Sequence, residues 1–193
     1  MNPALREELV KMEEHDRTEQ KKLAADGSLF EGYHPSMEAV HRENAGRLRT
    51  IIAQFGWPTE ELAGPDGAKA AWRIAQHSIG EPDFMRQCRT LLDEFSKRGA
   101  VPRWQFAFID DRIRVYEGKS QRFGTQLCGG PNGLQPYPLE DSTRVDQWRQ
   151  EAGLPPLDEI LADARDHPPP SSKDQRLKDA QEYAWRREAG WLE

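Results

Sequence analysis

Cysteine is almost missing from this chain, with Cys88 and Cys128 the only two among 193 residues. Two thiols forty positions apart make neither a zinc-ligand spacing nor a disulfide framework. They are expected as unbridged thiols in a reducing cytosol. Long apolar runs are missing too. No stretch reaches the roughly 18 apolar residues of a membrane span, and the N-terminus, MNPALREELVKMEEHDR, carries acids where a signal peptide has an apolar centre. A membrane partner is therefore not expected, and the location expected is cytoplasmic. There is no excess of positive charge: 27 Lys and Arg stand against 33 Asp and Glu, for a net charge of −6. A general nucleic-acid binder is normally basic, so no nucleic-acid partner is expected.

Nucleotide and nucleophile signatures are lacking as well. Gly129-Gly130-Pro131-Asn132-Gly133 has no following Lys-Ser/Thr and is not a phosphate loop. No serine stands in a Gly-x-Ser-x-Gly setting. The five histidines, at 15, 34, 41, 77 and 167, never pair at i, i+4 beside a third ligand. No spacing supports a metal site, and no cofactor is expected.

What is present is helical periodicity. Residues 3–25 read as a charged helix with a thin apolar seam of Leu5, Leu9, Met12 and Leu23. Ser36 is expected to cap a second helix running to about Phe55, stopped by Gly56 before Trp57-Pro58. A short helix over 59–62 precedes a Gly64-Pro65-Asp66 turn, and Asp66 can cap a helix over 67–79. That helix is apolar around most of its circumference, which places Gln76 and His77 near the interior. A helix with the stripe Phe84, Cys88, Leu91, Leu92 and Phe95 follows, and then one over 102–117. Residues 121–138 change character and read as a β-hairpin with a wide loop. Helices are expected again from Asp141 or Ser142 to Ala152 and from Leu157 to Arg165. The fold expected is mainly α: one compact helical domain over 1–165 with one small β-hairpin, a Pro-rich linker over 166–172, and a C-terminal helix over 173–193. The last helix carries Leu177, Ala180, Ala184 and Trp191 and is expected to dock on its own domain or on a second copy, so self-association through it is one expected partner mode.

One carboxylate breaks the apolar pattern. On the 102–117 helix, Asp111 falls inside the stripe Trp104, Phe108, Val115, where an ionised group needs a partner. Arg112, His77, Arg122 and the run Gln121-Arg122-Phe123-Gly124-Thr125-Gln126 supply candidates. His77 with Asp111 can form the base and orienting group of an acid–base pair. Gln76, Arg112, Gln121, Thr125 and Gln126 offer amides, a guanidinium and a hydroxyl to a substrate. The competing reading makes the same residues a structural hydrogen-bond cluster that ties hairpin to helix.

At these residues the chain resembles an uncharacterised bacterial family, a domain of unknown function. The resemblance rests on Gly56-Trp57-Pro58, Ala71-Trp72 with Gln76-His77, Asp111-Arg112, the Gln121 to Gln126 run, Arg144-Val145-Asp146 and Gly153-Leu154-Pro155-Pro156-Leu157, and spans about residues 5–165. Two positions depart from it: Asp16 is followed by Arg17 and then Gln20 where members carry Asp-Gln-x-x-Arg, and Phe123 replaces a tyrosine. The resemblance implies a mostly helical fold with one hairpin and carries no established activity. The function expected is an enzyme with a His77/Asp111 acid–base pair acting on a small polar, amide- or amino-acid-like substrate. The alternative is a non-catalytic small-ligand-binding or protein-interaction module whose polar cluster is structural.

Overall fold

The computed structural model describes residues 1–30, 32–130, 133–164 and 172–193; for Phe30, 163–164 and 172–179 only the backbone is described. The expected linker, the hairpin tip at Pro131-Asn132 and the Leu177 side chain lie outside the described residues. The chain divides into two compact units, Met1–Val101 and Pro102–Glu193. The division falls at Val101-Pro102, within the span 1–165 expected as one domain, and no extended Pro-, Gly- or Ser-rich stretch marks it in the sequence.

The first unit is built from α1 (Pro3–Asp26), a short 3-10 turn (Ser28–Phe30), α2 (Pro35–Phe55), α3 (Glu60–His77) and α4 (Pro82–Lys97). Asn2 starts α1 by accepting a hydrogen bond from the Leu5 amide, and Gly27 ends it at φ 85°. The cap of α2 is His34, whose ring accepts from the Ser36 amide at 3.1 Å, and not Ser36 as expected. Pro35 explains the shift, because it occupies the first helical position, where its missing N–H costs nothing. The two helices expected over 59–79 are present within Glu60–His77, separated at Gly64, whose non-helical backbone at φ 72° lets Pro65 follow it. Asp66 accepts from the adjacent Gly67 amide at 3.0 Å, which is not the bond two or three residues on that a cap makes.

Small residues set the closeness of α1 and α3. A Cβ added to Gly67 would lie 3.2 Å from the Arg6 Cα, so glycine is needed at that crossing. Ala63, Ala70, Ala71 and Ala75 are all fully buried on the same helix. The two helices then run side by side at a nearly constant offset. Arg6 pairs with Asp66, Glu13 with Arg73, and Asp16 with His77, at sequence separations of 60, 60 and 61. Equal steps along both helices mean that they are parallel, and the third step brings Asp16 to His77.

The second unit contains α5 (Arg103–Tyr116), a hairpin of β1 (Leu127–Gly130) and β2 (Gly133–Pro136), α6 (Val145–Glu151), α7 (Leu157–Ala164) and α8 (Ser172–Glu188). The hairpin is antiparallel, with Leu127 opposite Pro136 and Gly130 opposite Gly133. Ala107, Phe123, Trp148 and Ala152 make a small core, against which Phe106 and Leu154 pack. The C-terminal helix is present and docks on α5. Trp185 and Trp191 flank Tyr116 at 5.8 and 5.3 Å between ring centroids, and Arg186 donates to the Val115 carbonyl at 3.0 Å. Of the residues expected to dock, Trp191 is buried while Ala180 and Ala184 are exposed, and Trp185 joins Trp191 on the docked face. Two indoles bury far more apolar area than two methyl groups, and they decide the helix's rotation. Among the described residues no helix is long and apolar enough to cross a membrane.

Candidate functional site

The apolar seam of α1 contains an acid. Leu5, Leu9 and Leu23 are buried, and so is Asp16, at 1% exposure. It lies seven residues after Leu9 and seven before Leu23, on the inner face. On α2, His41 takes the corresponding place among Met37, Val40, Ala45 and Leu48 and is 8% exposed. His77 ends α3 and retains 22% of its side-chain surface. Three helices thus converge on one cluster. His77 Nδ1 lies 2.8 Å from Asp16 Oδ2, and His41 Nε2 lies 3.4 Å from the same oxygen. The two imidazoles are 5.2 Å apart between centroids. The Tyr33 hydroxyl is hydrogen-bonded to His41 Nδ1 at 2.9 Å.

The electrostatics follow from the geometry. Burial alone would raise the Asp16 pKa, but the two imidazoles beside it, with His77 at hydrogen-bond distance, outweigh that effect and hold the carboxyl well below its ordinary range. Asp16 is therefore a carboxylate. Its other oxygen, Oδ1, is buried and accepts no hydrogen bond, and His41 Nε2 is buried and makes none. Buried polar atoms without hydrogen bonds are uncommon in folded proteins.

Above this cluster an open cleft of about 440 Å³ is lined by Glu13, Arg17, Gln20, Asp66, Lys69, Arg73 and His77. Glu13, Arg17 and Gln20 succeed one another along α1, while Lys69, Arg73 and His77 follow at four-residue steps along α3. Arg73 is engaged by Glu13, and Asp66 by Arg6. Arg17 and Lys69 have no ion-pair partner among the described residues.

The second unit holds the other polar cluster. Asp111 is fully buried, as expected, but the stripe expected around it is only partly so: Val115 is buried, Trp104 and Phe108 are half-buried, and Ala107, Ile109 and Ile113 are the fully buried apolar residues of α5. Its Oδ1 accepts from the amides of Arg122 at 2.7 Å and Phe123 at 3.0 Å. Its Oδ2 accepts from the Thr125 amide and the Thr125 hydroxyl, both at 2.9 Å. Burial still outweighs these donors and leaves the Asp111 pKa above its ordinary value. Gln126 donates to the Thr125 hydroxyl oxygen at 3.1 Å and accepts from Arg112 Nε at 3.1 Å. The Gln121 amide is committed to the Gln126 and Tyr137 carbonyls and the Gln126 amide, each at 2.9 Å. The expected Arg122 bridge is divided. The backbone of Arg122 binds Asp111, and its guanidinium pairs with Glu140. Gly124 turns at φ 65°, where an added Cβ would meet Leu157 at 3.2 Å. Arg149 closes the loop from below by donating to the Phe123 carbonyl at 2.7 Å.

The residues proposed from sequence therefore fall into two groups. Arg112, Gln121, Thr125 and Gln126 gather around Asp111 in the second unit. His77 lies in the first, with Gln76 buried beside it in sequence, and the carboxylate hydrogen-bonded to its ring is Asp16. Sequence reasoning missed Asp16 and His41. The signal was available, because each sits in register with buried apolar neighbours just as Asp111 does. The ligand-type atoms of Asp16, His41 and His77 lie within 4.8 Å of one another, and these are the described residues that could hold a metal ion.

No curated protein and no solved structure matches the chain. A family model matches residues 3–167, which leaves α8 outside the matched region. Over that span the chain belongs to DUF6624, a family of unknown function.

Proposed function

We propose that the protein is an enzyme whose His/Asp acid–base centre acts on a small polar, amino-acid-like or amide-bearing molecule held in the cleft between α1 and α3. The observation that carries this reading is the buried Asp16 carboxylate hydrogen-bonded at 2.8 Å to His77, the imidazole that lines the cleft. A buried carboxylate on one ring nitrogen fixes tautomer and orientation and leaves the imidazole poised to exchange a proton with a bound molecule. Asp16 thus takes the orienting role that the sequence reading gave to Asp111. The cleft wall suits a molecule with an anionic group: Arg17 and Lys69 can meet a carboxylate, while Glu13 and Asp66 are held by Arg73 and Arg6. Gln20 adds an amide for hydrogen bonding.

A second reading, a non-catalytic module held together by polar clusters, draws support from the Asp111 network, in which both carboxylate oxygens are used within the loop. The experiment is to incubate the full chain with a panel of amino acids, N-acyl amino acids and dipeptides and to follow conversion by mass spectrometry. A conversion that is lost in His77→Gln and strongly reduced in Lys69→Ala, with the fold retained by circular dichroism, is the expected result. A conversion that persists in His77→Gln overturns the assignment. Binding without conversion, unaffected by His77→Gln, favours the module.

A further inference from the structure

The geometry points to a divalent transition-metal site formed by Asp16, His41 and His77. Two imidazoles and one carboxylate are a donor set suited to Zn²⁺, Fe²⁺, Mn²⁺ or Co²⁺. Each donor comes from a different helix, so three rigid elements hold the set. An ion with bonds of about 2.1 Å keeps tetrahedral ligand atoms roughly 3.4 Å apart. Here His41 Nε2 is 3.4 Å and His77 Nδ1 is 2.8 Å from the same Asp16 oxygen, and all three ligand atoms lie within 4.8 Å. Small side-chain rotations bring them to bonding distance.

Two independent observations favour an ion over a simple hydrogen-bonded trio. First, Asp16 Oδ1 and His41 Nε2 are buried with no hydrogen bond, in side chains more than nine-tenths shielded from solvent. A buried carboxylate oxygen and a buried ring nitrogen left so are costly in a folded protein, and a cation bound through Oδ2 and the ring would engage the nitrogen and neutralise the carboxylate. Second, the far nitrogen of His41 is already fixed. In His41, Nδ1 is hydrogen-bonded to the Tyr33 hydroxyl at 2.9 Å and Nε2 faces Asp16, so in the tautomer protonated at Nδ1 the Nε2 lone pair is available to an ion. A metal-binding histidine is held in the same way, its second ring nitrogen engaged by an oxygen that sets the tautomer. His77 lines the cleft, so the remaining coordination positions of the ion open toward it.

This site rests on the reading of the cleft as the reacting centre and deepens it. With the ion in place, His77 serves as a ligand, and the proton that the centre exchanges belongs to a water drawn to the ion, whose acidity the ion raises.

The test uses the full chain, freed of metal by a chelator and titrated with Zn²⁺, Mn²⁺ and Co²⁺ by calorimetry and equilibrium dialysis. We expect one ion per chain and at least a tenfold loss of affinity in His41→Gln, in His77→Gln and, more mildly, in Tyr33→Phe. Asp111→Asn is expected to bind as the wild type does. X-ray absorption of the zinc-loaded wild type needs no variant and should show two imidazole ligands. Absence of stoichiometric uptake, or uptake unchanged by His41→Gln and His77→Gln, overturns the site. Should uptake fail while substrate conversion still needs His77, the metal falls and the acid–base reading stands. Stoichiometric uptake through these ligands supports the site whether or not a substrate is found.

Discussion

Two buried aspartates, one in each unit, make opposite uses of burial. Asp111 gathers the backbone of 122–125 around itself, with both oxygens occupied by amides and a hydroxyl. Asp16 has one oxygen between two imidazoles and the other without a donor. A carboxylate saturated by local backbone is a clamp, because it holds a loop in shape and has nothing left to offer. A carboxylate that shares its charge with histidines below an open cleft has capacity to spare for a cation. Burial alone does not separate the two, since both are essentially inaccessible. The identity and completeness of the partners do.

The sharpest way to break this contrast is to truncate the clamp. Asp111→Ala leaves the buried amides of Phe123 and Thr125 without an acceptor, and it should cost about 3–5 kcal/mol of stability by denaturant titration. Faster hydrogen exchange at 122–126 should accompany it. A cost below about 1 kcal/mol would mean that the loop is held by other contacts. Trp191→Ala should come next, at about 3 kcal/mol, because the indole is 4% exposed and packs on Tyr116. The exchange of α8 amides should rise with it, and unaltered exchange there would show that Trp185 and Arg186 suffice to dock the helix.

Asp16→Asn should cost about 1–2 kcal/mol, less than the loss of the clamp, since asparagine keeps an oxygen for His77 but gives up the charge that the imidazoles favour. Cation uptake and turnover should fall sharply in the same variant. A large loss of stability in Asp16→Asn would make Asp16 a second clamp and erase the contrast. The smallest effect expected concerns the thiols. Burial pushes the Cys88 thiol far above its usual range, whereas Cys128 is half-buried on β1. A disulfide exchange reagent should label Cys128 in the native protein and Cys88 only after unfolding. Equal labelling rates would indicate that the α4 core opens readily.

The clamp was more legible in the sequence than the cleft was. Asp111 announced itself because Phe108 and Val115 define a clear stripe on a short helix, and its loop partners follow within fifteen residues. Gly124 was readable for the same reason, as a glycine in a polar run that must turn sharply. Asp16 obeyed the same stripe rule but lay in a helix whose inner face is so thin that a single acid looked like surface. His41 and His77 stand 36 positions apart, and only His77 belongs to one of the motifs of the resemblance. Their meeting depends on the parallel course of α1 and α3, set by the crossing at Gly67 and by the alanines of α3. Such an offset is a property of packing, and no local spacing contains it. The helical fold, the hairpin and the terminal helix were legible because each rests on periodicity or turn chemistry within one segment.

The central claim is that the Asp16, His41 and His77 cluster, and not the Asp111 network, is where a ligand binds. Long-range ¹⁵N correlation spectra of the histidine rings, recorded with backbone amide spectra during titration with the amino-acid and amide panel and with Zn²⁺, test it most directly. The account predicts that the His41 and His77 ring signals and the amides around Arg17 and Lys69 shift, while the amides of 121–126 stay in place. Shifts confined to 121–126, with both imidazoles unmoved, would contradict it.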